Sequence, residues 1–233
     1  MIGRPLRVLS AGAAKGVVQA LADPFETETG VQVIATFDSA GAMRAAFANG
    51  AGCDIVILPA AMQKALAAQG LVDAGSIAAL GRVSTGVAVA RGDRVAALGD
   101  ADALRASLVA ATALYCPDTA RATAGIHFVN VLHSLGIYET SAQKLRAYPN
   151  GARAMAGLAE GGPQGALGCT QVTEILYTPG VVLVAPLPAP FELSTTYAVA
   201  VSANASSPAR AFAARLAGRE MQGIRRAGGF LDR

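Results

Sequence analysis

The chain has 233 residues, enough for one large domain or for two α/β lobes of about 100 residues each. Hydrophobic residues make up 53% and charged residues 15%, but alanine supplies much of the apolar share, and no uninterrupted apolar run of about 18 residues occurs, which excludes a transmembrane helix. A formal net charge of +3 with scattered arginines, only Arg225 and Arg226 adjoining, gives no basis for nucleic-acid binding and suits a small anionic ligand.

Leu6 to Val18 (LRVLSAGAAKGVV) reads as a buried strand that passes through a small-residue turn into a helix. Ser10, Ala11, Gly12 and Ala13 leave little side-chain bulk, so a ligand can approach the backbone closely. From Ala14 the apolar residues Val17, Val18, Leu21 and Phe25 recur at helical spacing. The unpaired N–H groups of that first turn then point into the loop, where an oxyanion or carboxylate gains hydrogen bonds and a favourable helix dipole. Any βα unit packs its first turn in this way, so the stretch alone does not decide between ligand site and scaffold. Neither GxGxxG nor GxxxxGK[ST] is present, which disfavours a dinucleotide enzyme; no cofactor is expected.

Further along, Val31 to Phe37 alternates as a second strand, and Asp38, Ser39, Ala40 and Gly41 form a second small polar loop before a helix over Ala42 to Asn49. Asp54 to Leu58 is a third strand, followed by a helix from Met62 to Gln69. This alternation predicts a parallel sheet. The pattern changes register around Gly81 to Thr85, and Gly86 to Ala90 opens a second lobe. There Ala101 to Ala110 reads as helix, Ala113 to Cys116 as strand, and PDTARAT (Pro117 to Thr123) as a polar loop before a helix over Ala124 to Leu135. A helix over Gly151 to Glu160, a strand over Ala166 to Cys169 feeding Thr170 and Gln171, and a strand over Val181 to Pro186 follow. Tyr197 to Val201 is strand-like, and the tail, helical over Pro208 to Ala217 and Glu220 to Ala227, is expected to return to the first lobe.

Met1 to Pro5 leads into the first strand without an apolar signal region, so the expected compartment is the cytoplasm. A mature exported chain behind an artificial Met1 would look the same, which keeps the periplasm open. Cys53, Cys116 and Cys169 are odd in number and lack metal-type spacing; neither a disulfide framework nor a metal site is expected.

The order and spacing of RVLSAGAAKGVVQALADPFETETGVQV, ANGAGCDIVIL, TAGIHFVNVLHSLG, YAVAV and the closing GGF resemble the molybdate-binding proteins of bacterial ABC transporters, over essentially the whole chain. The resemblance implies the α/β type II periplasmic-binding-protein fold. Its two lobes, each a mostly parallel sheet flanked by helices, are joined by two crossover strands and close on a ligand in the cleft. On this chain they fall at 1–83 plus 196–233 and at 84–195. It also implies an ABC permease partner if the chain is exported. The family's oxyanion site uses loop hydroxyls, helix-terminal N–H groups and one tyrosine. By position its first-loop serine falls at Ala13, with Ser10 nearby, its second-loop serines at Ser39 and Ala40, its backbone donor at Ala124 and its tyrosine at Gly168. A pocket lacking that tyrosine and a serine is larger and poorer in donors, which points from molybdate toward an organic carboxylate.

Among the remaining candidates, Arg121 beside a helix start can hold a carboxylate with two parallel hydrogen bonds, the alternative being a solvated surface arginine. Thr123, Ser39, Thr170 and Gln171 can add directional contacts. Lys15 reads as solvated. His127, one turn into the same helix, can face the cleft and move a proton or simply pack, and His133 lies almost two turns further on. Cys169 and Cys116 end strands aimed at the cleft, where small buried cysteines are the ordinary case. Two functions follow. One is a binding protein for a small anion. The other is a cytosolic isomerase or tautomerase of an unsaturated carboxylic acid, with Arg121 as anchor and His127 or Cys169 as proton carrier.

Overall fold

The computed structural model describes residues 4–232, which divide into two compact units: unit 1 runs to Val83 and resumes at Thr195, and unit 2 is Ser84–Ser194. Unit 1 contains β1 (Leu6–Ala11), α1 (Lys15–Thr29), β2 (Val33–Asp38), α2 (Ala40–Ala48), β3 (Ile55–Pro59) and α3 (Ala60–Ala68). β1 pairs in parallel with both β2 and β3. β4 (Ala78–Ala90) begins in unit 1 and ends in unit 2.

Unit 2 continues with α4 (Ala101–Ala110), β5 (Leu114–Pro117), α5 (Thr123–Ser134), α6 (Tyr138–Ser141) and β6 (Leu145–Tyr148). After these come α7 (Gly151–Gly161), β7 (Leu167–Gln171), α8 (Val172–Leu176) and β8 (Val181–Pro186). β9 (Ser194–Val201) then runs antiparallel to β3 in unit 1, and α9 (Ser207–Ala217) and α10 (Gln222–Ala227) pack there.

Local chemistry explains these elements. Val17, Val18, Leu21 and Phe25 form the buried stripe of α1, and Gly30, at φ 70°, ends that helix in the left-handed conformation glycine adopts without strain. Phe25 meets Phe212 of α9 edge to face at 5.0 Å. β3 is buried at every position, as its uninterrupted IVILP predicts. In unit 2, β5 pairs in parallel with β6 and β7, while β4 runs antiparallel to β7 and to β8. Two apolar layers result. One joins Leu114, Cys116, Leu167 and Cys169 to Phe128, Val131 and Leu132 of α5; the other joins Ala113 and Tyr115 to Ala154, Met155 and Leu158 of α7.

β4 is one strand of 13 residues that runs through the change of register at Gly81 to Thr85, and the division between the units falls within it, between Val83 and Ser84. The C-terminal segment stabilises that stretch, since Arg82 and Leu231 exchange backbone hydrogen bonds of 3.0 and 2.7 Å. Gly81 makes the approach possible: at φ 145° its missing Cβ would lie 2.6 Å from the Leu231 carbonyl oxygen. The half-exposed β6 and the short α8 carry too little periodicity to be read locally. Among the described residues no helix is long and apolar enough to cross a membrane.

Candidate functional site

In an α/β sheet the carboxyl ends of parallel strands and the helix starts that follow them share one edge, where ligands bind. Each unit has such an edge. In unit 1, β1 turns through Gly12–Ala14 into α1, whose Ala14 N-cap has no side-chain cap. Ala13 is buried there, and Ser10 is buried with its hydroxyl donating to the Ala11 carbonyl at 2.9 Å, so that proton already has an acceptor. At α2 the Ser39 hydroxyl accepts from the Ala42 N–H at 3.3 Å, and the Asp38 carboxylate accepts from the Ser39 N–H at 2.7 Å. This is an N-cap; it occupies a hydroxyl lone pair and leaves the O–H proton free to donate, with buried Ala40 directly behind it.

The edge of unit 2 is different. α5 starts at Thr123 from Ala122 without a side-chain cap, and Ala124 is buried in its first turn. Gly125 sits so close to the Pro117 and Asp118 carbonyls that any Cβ would overlap them, which pins the helix start onto the loop after β5. α7 is capped instead by Asn150, whose side chain accepts from the Arg153 N–H at 3.0 Å.

Strand alternation sorts the remaining candidates by face. A Cβ at Gly168 would meet Met155 Cε at 2.5 Å and Leu158 Cδ2 at 2.9 Å, so this position faces the apolar side of α7. Thr170 faces the same side, and its hydroxyl donates to Glu174 Oε2 at 2.6 Å in the buried layer over Gly151. Gln171 points the other way, toward α5. Thr85 stands directly opposite it on β4, and Thr173 follows in the first turn of α8. Gln171 is 3% exposed, and Thr85 and Thr173 are each 1% exposed. Both polar atoms of the Gln171 amide and both threonine hydroxyls lack a hydrogen-bond partner. A natural core leaves few such groups unpaired; among the described residues Gln63 Oε1 and the Ser141 hydroxyl are the other buried side-chain atoms without a partner. Thr85 and Thr173 escaped the sequence reading: Thr85 lies within β4 between Val83 and Val87 on the same face, and Thr173 in the first turn of the short α8, so neither stands out by local pattern.

Arg121 lies on the surface, its side chain 67% exposed, and its guanidinium is engaged by Asp118 at 2.9 Å. The N–H of Ala120 first, and Arg121 after it, hold the Asp118 carboxyl below its ordinary range. This arrangement braces the loop before α5. His127 is partly buried, with Nε2 2.8 Å from the Phe191 carbonyl oxygen. Cys169 is 1% exposed, and burial, with Cys116 beside it, pushes its thiol well above the ordinary range. Neither group is placed as a free proton carrier. Among the described residues no group of three or more His, Cys, Asp and Glu is arranged to hold a metal ion.

A cavity of about 410 Å³ opens elsewhere in unit 1, lined by Leu80, Arg219, Gln222, Arg225, Arg226 and Phe230, among others. Its arginines serve the C-terminal segment: Arg225 donates to the Leu216 and Gly218 carbonyls at 2.6 and 2.9 Å, and Arg226 pairs with Asp232. It shares no residue with either strand-end edge.

No curated protein matches the chain in sequence. Several solved structures share its fold. The Azotobacter vinelandii periplasmic molybdate-binding protein superposes with a TM-score of 0.81 at 19% identity, covering 97% of this chain and 98% of its own. The sulfate-binding protein SubI of Mycobacterium tuberculosis H37Rv gives 0.75 at 18% identity, covering 98% and 86%. PEB3 of Campylobacter jejuni with L-phospholactate bound gives 0.73 at 15% identity, covering 98% and 100%. These likenesses identify an α/β fold of the type II periplasmic-binding-protein kind. The family profile described as bacterial extracellular solute-binding protein matches residues 6–231, and the chain belongs to that family.

Proposed function

We propose that this protein captures a small organic anion, a carboxylate rather than molybdate, and presents it to an ABC-type permease outside the cytoplasm. The observation that carries the proposal is that the cross-strand neighbours Thr85 and Gln171, with Thr173 two residues further on, are buried with unpartnered polar atoms, in the same unit as α5, which starts without a side-chain cap. Two hydroxyls, an amide and free helix N–H groups supply hydrogen bonds to an anion without a fixed countercharge. The solved relatives named for molybdate, sulfate and L-phospholactate support an anion as ligand. Ala13 and Ala40 stand at positions where the molybdate binders carry serines, which favours a ligand other than molybdate; Gly168 faces the packed side of α7 and does not enlarge the site. The engaged His127 and the buried Cys169 give the isomerase reading no support.

A thermal-shift screen against molybdate, tungstate, sulfate, phosphate and a panel of di- and tricarboxylates tests this, because a ligand of the folded state raises the melting temperature. Stabilisation by a carboxylate that Gln171→Ala abolishes is expected. Stabilisation by molybdate alone would overturn the carboxylate assignment. Binding that Gln171→Ala and Thr85→Val both leave unchanged would remove this cluster from the site. Fractionation of the native host with an antibody to the chain tests the location; a wholly cytoplasmic signal would refute export.

A further inference from the structure

We infer that the ligand brings a hydrogen-bond donor of its own, a hydroxyl or a protonated oxygen, which the Gln171 side-chain carbonyl accepts. This rests on the anion-binding reading above and narrows it. On the face that packs against α5, β7 presents Leu167, Cys169 and then Gln171, while β4 presents Val87 and then Thr85. Val87 pairs with Cys169 and Thr85 with Gln171, so a polar cross-strand pair closes an apolar stripe.

The amide at that point has two needs. Its NH2 requires an acceptor, which any anion supplies. Its oxygen accepts only, and burial without a donor costs free energy whichever way the amide is turned. The nearby donors do not meet this need. Thr85 and Thr173 carry hydroxyl protons, yet neither oxygen has any hydrogen-bond partner, so neither reaches the amide. Their protons are left to serve the anion.

A fully deprotonated tetrahedral dianion such as sulfate or molybdate offers acceptors alone. It satisfies the amide NH2 and both hydroxyls but leaves the Gln171 oxygen unpaired. Hydrogenphosphate or a hydroxycarboxylate satisfies all of them, because a single ligand oxygen carries the missing proton. Selectivity by an unpaired buried group is the stronger kind of discrimination, since the wrong ligand forfeits a bond and still removes the acceptor from water.

Calorimetric titration of the full chain with matched pairs tests the inference: phosphate against sulfate, malate against succinate, and citrate against tricarballylate. In the pairs that bind, the donor-bearing member is expected to bind about tenfold tighter or more. Gln171→Leu is expected to bring that ratio close to one. Gln171→Glu keeps an acceptor, so it is expected to keep the preference while weakening both members, and it serves as the reference if the Leu variant does not fold. A donor-free member that binds as tightly as its partner, or a ratio that survives Gln171→Leu or vanishes in Gln171→Glu, overturns the inference and leaves anion binding standing. Failure of every compound to bind overturns the anion reading and this inference with it.

Discussion

Replacing Gly151 by alanine tests the packing beneath the candidate site. Gly151 is the first residue of α7, and a Cβ there would overlap both Glu174 Oε2 and Thr170 Oγ1. Those two atoms form a buried hydrogen bond of 2.6 Å, and Glu174 is 5% exposed, so the carboxyl cannot swing aside into water. Forcing a methyl into a filled site costs about 1–3 kcal/mol, and losing the hydrogen bond adds about 0.5–1.5 kcal/mol. Better helix propensity returns less than about 1 kcal/mol. The expected net loss is about 2–3 kcal/mol, a fall in melting temperature of roughly 5–10 °C for a chain of this length. Gly168→Ala is the matched control: its new Cβ meets the tips of Met155 and Leu158, and a flexible thioether yields at a cost of about 1 kcal/mol. Differential scanning calorimetry of both variants decides. If Gly151→Ala melts with the parent, or Gly168→Ala is the more damaged, the clash is relieved by a route the reasoning omits.

Other consequences are simpler to measure. Asp54 is buried, accepts from the Arg7 N–H at 2.8 Å and pairs with the exposed Arg4, so Asp54→Ala is expected to cost about 1–3 kcal/mol in urea unfolding and Arg4→Ala less than about 1 kcal/mol. Equal losses would contradict that ranking. The Asp118 carboxyl is held below its ordinary range, so its contribution is complete above the unfolded value near 4 and is lost as pH falls through the lower folded value. The wild type should therefore lose more stability than Asp118→Asn between about pH 5 and pH 2. Because Arg121 is exposed and engaged with Asp118, Arg121→Ala should change ligand affinity by less than about threefold, a difference within about 0.7 kcal/mol. A larger loss would return Arg121 to the site as a carboxylate anchor. Burial pushes Cys53 up to about 11 and Cys116 up to about 12, and Cys169 well above the ordinary thiol range. An aromatic disulfide reagent at pH 8 should thus leave all three unreacted in the native protein and titrate all three in denaturant; rapid native reaction at Cys169 would revive a thiol chemistry there.

What the sequence discloses here tracks how local the governing interaction is. The βαβαβ run of unit 1 was legible because Val17, Val18, Leu21 and Phe25 keep helical spacing and IVILP is continuously apolar. Both are properties of neighbours in the chain. The continuity of β4 was not, since the atoms that hold Arg82 in a strand belong to Leu231. The candidate residues of each unit divide along the same line. Loop residues such as Ser39 and Ala124 announce themselves by their position before or within a helix start. The fate of Thr170 and Gln171 depends on which face of β7 each occupies, and that is set by register against β4 and by the packing of α7. One residue's difference sends Thr170 to Glu174 and Gln171 to the unpartnered edge with Thr85. A buried amide without a partner is a conflict between sequence and fold, and conflicts of that kind concentrate where a protein meets its ligand. The site proposed above therefore rests on the pairing of two strands at residues 86 apart, the cross-strand neighbours Thr85 and Gln171, and on no contiguous motif.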